Sequence, residues 1–200
     1  MKKKLKKILI PPTAAFFNKI EKCLVRKDMA LRFAPIFIVG NPRSGSTLLY
    51  QAITRYFNVC YFSNLMMLFP ESPTCISRII APVNGCNPPY SFYNKYGFTV
   101  GLKSPNQGLR FWNRWFPDNY GYVAPEALSK RAKKEIRNTI ALIQECFEAP
   151  FVNKCQPLSE RLLAIVEALP EAVFIRIKRE PVFTAQSILL GKRELWNDEN

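Results

Sequence analysis

One segment near the start of the chain constrains its fold more than any other. It opens with an uninterrupted apolar run, Pro35–Val39, which predicts a strand buried on both faces. Gly40–Gly45 follows as a short turn, and Ser46–Tyr56 predicts a helix. The residues expected to face the sheet from this helix are Leu48, Leu49, Ala52 and Ile53. A buried strand that turns at once into a helix is a unit of parallel sheets, so an α/β fold is expected.

Strands and helices alternate again in the second half of the chain. Pro125–Glu148 predicts the longest helix, because apolar residues recur every three or four positions from Leu128 to Phe147. The predicted elements that follow are a strand at Phe151–Asn153, a helix at Leu158–Leu169, a strand at Ala172–Lys178 and a helix at Val182–Leu190. Residues 58–97 show no clean period. This order predicts three layers, with a mainly parallel sheet flanked by helices.

The turn between the first strand and its helix has the composition of an anion-binding loop. Unpaired backbone N–H groups and the positive end of the helix dipole converge there. Hydroxyl groups of Ser44, Ser46 and Thr47 add further donors. We therefore expect a P-loop-type fold that binds a phosphate group at this turn.

The loop departs from the pattern of ATP-binding loops, G-x-x-x-x-G-K-[ST], at one position. Gly40, Gly45 and Thr47 fit, but Ser46 replaces the lysine, and the cation lies inside the turn as Arg43. An ATPase or kinase needs that lysine on the β- and γ-phosphates. The sequence thus predicts a P-loop relative without the usual ATP apparatus.

The hexapeptide Pro42–Thr47 resembles the 5′-phosphosulfate loop of sulfotransferases that use 3′-phosphoadenosine 5′-phosphosulfate (PAPS). The resemblance implies a second element, a strand ending in arginine with a serine eight positions later, which together bind the 3′-phosphate. Arg179 and Ser187 have this spacing. The donor-binding residues that it implies are Arg43, Ser44, Gly45, Ser46, Thr47, Arg179 and Ser187.

A third match concerns the reacting group. Lys154 ends a short predicted strand, as does the family's lysine near the transferred sulfuryl group, so the resemblance implies that Arg43 and Lys154 are catalytic. Where cytosolic members have a histidine base, this chain has Gln156, which cannot accept a proton at neutral pH. The carboxylates that remain as candidate bases are Glu71, Asp118 and Glu126.

The resemblance implies transfer of a sulfuryl group from PAPS, without a metal, to a hydroxyl or amine of a carbohydrate or glycolipid. Gly101–Pro105 and Phe111–Phe116 are similar to segments of bacterial sulfotransferases that act on surface glycans. Aromatic residues at 90–96 and 112–122 are predicted either to stack on sugars or to pack in the core. Lys103 is either an acceptor-site cation or a solvated lysine.

Two other functions fit the same residues. One is a nucleotide or sugar kinase with a degenerate P-loop, which Mg²⁺-dependent ATP binding would reveal. The other is an inactive module that binds anions or membranes. Members of the resembled family usually extend about one hundred residues further, so the domain at 32–200 is expected to lack its C-terminal part. We therefore expect it to bind the nucleotide weakly and to transfer sulfuryl groups poorly or not at all.

Charge and composition narrow the choice of partners and location. The formal net charge is +14, and residues 1–27 hold nine Lys and Arg against one Glu. The basic leader, 1–31, predicts a solvated arm that is helical after Pro12, or a peripheral contact with anionic lipid. The mildly basic remainder favours anion binding without nucleic acid. With no histidine, no C-x-x-C pair and no membrane-length apolar run, a cytoplasmic protein with reduced thiols and no metal site is expected.

Overall fold

The computed structural model describes residues 2–25, 28–85, 90–95, 97–116, 121–124 and 126–196. The α-helices formed by these residues are α1 (Lys2–Leu24), α2 (Ser46–Tyr56), α3 (Pro73–Asn84), α4 (Leu109–Trp112), α5 (Lys130–Phe147), α6 (Leu162–Ala168) and α7 (Pro181–Trp196). The strands are β1 (Ile36–Gly40), β2 (Asn94–Lys95), β3 (Phe98–Thr99), β4 (Val152–Lys154) and β5 (Val173–Ile177). Short 3₁₀ helices lie at Met66–Leu68 and Gln156–Glu160.

A parallel three-stranded sheet with β1 at its centre organises the fold. Its order is β4-β1-β5, so the first strand of the sheet pairs with two strands that follow more than one hundred residues later. Ile38 on one face of β1 packs with Tyr50 of α2. Phe37 and Val39 on the other face join a larger core that includes Ile140 of α5. The predicted α/β fold, with a parallel sheet between helices, is confirmed.

The helix predictions hold with four corrections, one of which is that α7 continues to Trp196 instead of ending at Leu190. Helix α2 begins and ends as predicted, but Leu48 is 60% exposed, because Tyr50 and Thr54 occupy its buried face. Helix α5 begins at Lys130, since the hydroxyl of Ser129 accepts a hydrogen bond from the N–H of Ala132 and caps it. The predicted helix at 158–169 is divided into a 3₁₀ turn and α6, because the backbone of Arg161 is not helical.

Two further helices were not predicted as they occur. Residues 58–97 have no clean hydrophobic period, yet they contain α3. This helix begins at Pro73, and proline is favoured in the first turn of a helix. Helix α1 begins at Lys2 and is longer than α5, so α5 is not the longest helix. Among the described helices, none combines the length and the apolar character needed to cross a bilayer.

The second half of α1 packs on the body of the protein. The buried carboxylate of Glu21 accepts hydrogen bonds from the backbone N–H groups of Thr74 and Cys75, at 3.2 and 2.9 Å, in the first turn of α3. These amides have no partner within their own helix, so Glu21 caps α3 from outside. Burial raises the pKa of Glu21. The interpretation of the leader as a solvated arm is therefore wrong for residues 13–25.

Buried amide side chains of α5 hold the segment between α1 and β1. Asn138 Nδ2 donates to the carbonyl of Val25 at 2.8 Å, and Asn138 Oδ1 accepts from the N–H of Met29. Gln144 makes matching bonds to the backbone of Arg32 and Phe33. These contacts satisfy buried polar groups on both sides and fix the approach of the chain to β1.

Gly40 provides a test of how tightly β1 and β5 pack at the start of the loop. A Cβ atom added there would lie 2.8 Å from the carbonyl oxygen of Ile177. Gly85 also has a positive φ but no close neighbour, so Gly85→Ala is the matched control. We expect Gly40→Ala to lower the free energy of unfolding by about 1–3 kcal/mol more than the control, measured by urea denaturation. Equal losses would contradict the close packing.

Candidate functional site

The carboxyl ends of the three strands meet around one cavity. β1 runs into the loop 41–45, β4 ends at Lys154, and Arg179 lies two residues beyond β5. Ligands of open α/β sheets bind at this edge. The cavity has a volume of about 230 Å³. Its lining residues are Pro42, Arg43, Gly45, Ser46, Thr47, Leu48, Gly97, Gln107, Lys154, Gln156 and Arg179.

The loop that forms the floor of the cavity has an unusual backbone. Arg43 and Gly45 have φ values of 62° and 92°, in the left-handed region. Gly45 is the N-cap of α2 and provides no side-chain cap, so the first turn of the helix directs its N–H groups toward the cavity. The buried Ser44 Oγ has no hydrogen-bond partner in the described part of the chain. Donors gathered in this way suit an anion.

Arg43, Arg179 and Ser187 lie together, as their spacing predicts. The Nε–H group of Arg43 donates to Ser187 Oγ at 2.9 Å, which joins the loop to α7. Arg179 Nη1 donates to the carbonyl oxygen of Arg43 at 2.8 Å. Arg179 therefore also supports the strained residue of the loop. Arg43 and Arg179 both line the cavity, so these contacts connect the loop, α7 and the residues that follow β5.

Lys154 supplies a third cation to the cavity. The residue is only 5% exposed, and this burial lowers its pKa from 10.5 to about 8. The described residues that line the cavity include two arginines and no carboxylate. An anion that enters the cavity would favour the protonated amine and raise this pKa.

A hydrogen-bonded network fixes the end of β4. Trp112 Nε1 donates to Asn153 Oδ1 at 3.0 Å, and Asn153 Nδ2 donates to the carbonyl of Gln107 at 3.2 Å. The side chain of Gln107 then accepts from the N–H of Gln156 at 3.3 Å. Because Asn153 and Trp112 are fully buried, this network is rigid and orients Lys154 beside it.

The β2–β3 hairpin closes one side of the cavity. A Cβ atom added to Gly97 would lie 3.5 Å from Thr47 Oγ1 and 3.7 Å from Gln107 Nε2, so the hairpin turn lies directly beside the loop. Sequence reasoning did not identify Gly97 or Gln107 as cavity residues. Gln107 lies two positions after the segment 101–105, whose similarity to glycan sulfotransferases was the available signal.

Other candidate residues lie away from the cavity lining. Glu71 is exposed and accepts a hydrogen bond from Asn18, and Glu126 lies beside Glu167 of α6. Asp118 is outside the described residues. Lys103 is exposed, and its carbonyl accepts from the hydroxyl of Tyr61. Residues implied by the resemblance on the strand ends thus come together, whereas the two described candidate bases do not join them.

The lowered pKa of Lys154 gives a test by pH. An unfolded lysine keeps its proton up to about pH 10.5, whereas the folded one loses it near pH 8. Between these values the unfolded state binds more protons, so stability rises with pH. Relative to Lys154→Met, the free energy of unfolding should rise by about 3 kcal/mol across this interval. Parallel stability curves for the two proteins would show that Lys154 titrates normally.

Comparison with protein-family profiles gives a match to the sulfotransferase family over residues 35–198. The match includes the loop, Lys154, Arg179 and Ser187 and covers most of the chain. Comparisons with curated proteins and with solved structures found no match. A parallel sheet flanked by helices, with a loop that leads from its central strand into a helix, agrees with this assignment. The chain belongs to the sulfotransferase family.

Proposed function

We propose that the protein transfers a sulfuryl group from PAPS to a hydroxyl or amine of a carbohydrate or glycolipid acceptor. The observation that supports this most is the convergence of Arg43, Lys154 and Arg179 on one cavity at the ends of three adjacent strands. Family membership supports sulfuryl transfer in general. The PAPS donor and the carbohydrate or glycolipid acceptor are the parts that we propose beyond this membership.

The residues of the cavity fit a phosphosulfate donor. Backbone N–H groups of the first turn of α2 provide donors for a phosphate, whereas the buried Ser44 hydroxyl lies beside Gly40 and is not part of the described cavity lining. Arg43, Arg179 and Lys154 provide positive charge to the cavity lining. PAPS would supply the activated sulfuryl group, and the chain itself would supply charge and alignment.

Each cation has a distinct proposed task. Arg43 lies in the loop and neutralises negative charge that develops on the leaving phosphate, which a planar guanidinium does bidentately. Lys154 holds the sulfuryl oxygens from a nearly dry position, where its charge acts at low effective dielectric. Arg179 and Ser187 bind the 3′-phosphate. Arg43 and Ser187 contact each other through one hydrogen bond, so a bound nucleotide would compete with it.

A kinase with a degenerate P-loop is less well supported. Ser46, which is buried at the start of α2, occupies the position of the ATP-binding lysine. The described residues that line the cavity include no carboxylate that could bind a nucleotide-bound Mg²⁺. The charge of the lining therefore favours a donor bound by cationic side chains.

The 3′-phosphate provides the most direct test of the donor. We expect 3′-phosphoadenosine 5′-phosphate to bind without Mg²⁺ and more tightly than AMP, because charged hydrogen bonds contribute roughly 1.5–3 kcal/mol each. Arg179→Ala should weaken its binding about tenfold or more, measured by titration calorimetry. AMP should lose less affinity, because it loses only the support that Arg179 gives to the Arg43 carbonyl. Equal affinity of the wild-type protein for the two nucleotides would refute the proposed 3′-phosphate site.

Arg43 should matter more for turnover than for nucleotide binding. Its proposed partner is charge that appears only during transfer, so Arg43→Ala should lower kcat at least a hundredfold with a smaller change in nucleotide affinity. The substitution keeps the carbonyl that accepts from Arg179. Arg43→Lys should retain part of the activity. Arg131→Ala, at an exposed position of α5, is the control. Normal turnover by Arg43→Ala in PAPS-dependent assays would exclude the catalytic role.

A further inference from the structure

The side-chain amide of Gln107 has an orientation that one hydrogen bond fixes. Its Oε1 accepts from the backbone N–H of Gln156 at 3.3 Å. A backbone N–H can only donate, so the amide oxygen faces Gln156 and the NH₂ group faces away from it. Among the residues that the structure describes, none accepts a hydrogen bond from this NH₂ group. Because Gln107 lines the cavity, its NH₂ group is a donor that a ligand there can use.

The NH₂ group of Gln107 lies close to the start of α2, where the loop ends. A Cβ atom added to Gly97 would lie 3.7 Å from Gln107 Nε2 and 3.5 Å from Thr47 Oγ1. The amide nitrogen and this hydroxyl are therefore both within 4 Å of one point beside the hairpin turn. Gly97, Gln107 and Thr47 all line the cavity, so the two groups belong to the same part of it.

The backbone is held on both sides of Gln107. Asn106 Oδ1 accepts from the N–H of Gly108 at 2.8 Å, which closes a tight turn around Gln107. Gly108 has a φ of 71°, and a Cβ atom there would lie 2.5 Å from the ring of Phe62. The carbonyl of Gln107 itself accepts from the buried Asn153 at 3.2 Å. These contacts fix the backbone from which the Gln107 side chain extends into the cavity.

The order of the strands places Gln107 on the same side of the cavity as Lys154. Strands β4 and β5 flank β1 on opposite sides, and the loop follows β1 between them. Gln156, which donates to Gln107, lies two residues beyond Lys154 at the end of β4, whereas Arg179 follows β5. A donor with its 5′-phosphate on the loop and its 3′-phosphate at Arg179 occupies the β5 side. Its sulfuryl group then has the β4 side, where Lys154 and Gln107 lie.

We propose that Gln107 is a further residue of the transfer site, whose NH₂ group donates to an oxygen of the sulfuryl group that Lys154 also holds. This proposal rests on the proposed function, because it assumes a phosphosulfate donor. With a hydroxyl acceptor, the acceptor oxygen bonds to sulfur and the bond from sulfur to the phosphate oxygen breaks. The electron pair of that bond stays on the phosphate, and the hydroxyl proton passes to water. The amide exchanges no proton and aligns the sulfuryl group for in-line attack.

The test compares nucleotides with and without the sulfuryl group. PAPS and 3′-phosphoadenosine 5′-phosphate are titrated by calorimetry into the wild-type protein and Gln107→Glu, and the ratio of their two affinities is compared. The carboxylate keeps an oxygen for the N–H of Gln156 but replaces the NH₂ donor. We expect the affinity for PAPS, relative to that for 3′-phosphoadenosine 5′-phosphate, to fall about tenfold or more. The value of kcat/KM for PAPS should fall at least as much.

Two further variants separate the lost donor from added charge. Gln107→Met removes the NH₂ group without adding charge and should lower the affinity ratio by a similar factor. Gln186→Glu makes the same chemical change at an exposed position of α7 outside the described cavity lining, and it should leave the ratio unchanged. An unchanged ratio in either Gln107 variant would overturn the proposal. In Gln107→Met alone, a lower ratio would reflect the lost bond to Gln156, and in Gln107→Glu alone it would reflect charge.

A second pair of nucleotides and a transfer assay separate this proposal from the proposed function. Adenosine 5′-phosphosulfate and AMP differ in the same sulfuryl group but carry no 3′-phosphate, so they test Gln107 independently of the 3′-phosphate site. A lower ratio in both Gln107 variants, without transfer from radiolabelled PAPS to a glycan array, would support the contact and refute the reaction. Transfer by both variants with wild-type kcat and KM would support the reaction and refute the role of Gln107. A wild-type protein that binds neither sulfated nucleotide would overturn both.

Discussion

The register of β1 between β4 and β5 is the constraint on which the cavity depends. Ile38 pairs with Lys154 and Gly40 pairs with Ile177, so all three strands end at the same edge. Because side chains alternate along a strand, Lys154 lies on the same face as Val152, which packs in the core that includes Tyr50 of α2. A slip of one residue would turn Lys154 to the opposite face, away from the loop.

The concentration of positive charge is the second constraint on the site. Arg43, Lys154 and Arg179 line a cavity in which the described residues provide no carboxylate. Folding must place these charges together, and the low pKa of Lys154 reflects its desolvation. The rigid network of Asn153, Trp112 and Gln107 holds the lysine in position despite this cost. A site assembled in this way concentrates positive charge without any ligand, which favours the proposed binding of an anion.

The parts of the fold that could be predicted from sequence are those with a strong local signal. The apolar run of β1 and the residues of α2 gave the strand, the loop and the helix with their correct bounds within one residue. Arg179 and Ser187 came from a spacing that the resemblance supplied, and the structure brings both to Arg43. Local patterns with one clear period, such as that of α5, also placed the core correctly.

The missed features depend on contacts between distant residues. Leu48 was expected in the core, but the buried face of α2 includes the polar Gln51 and Thr54. The hydroxyl of the distant Tyr90 contacts the carbonyl of Gln51 and the hydroxyl of Thr54. Gln107 and Gly97 enter the cavity through the network at Asn153 and through the hairpin, which no local pattern reveals. The docking of α1 likewise depends on Glu21 meeting the first turn of α3.

The central position of β1 has a consequence for how the protein acquires its shape. β1 is synthesised early, yet both strands that pair with it follow more than one hundred residues later. Ser187, which accepts a hydrogen bond from Arg43, lies 144 residues beyond it. Closing loops of this length slows folding, because entropy is lost before the contacts that compensate for it form. During synthesis β1 can pack against α2, but it has no strand to pair with until β4 and β5 are made. The hydrogen bond that joins the loop to α7 can form only after Ser187 has been synthesised.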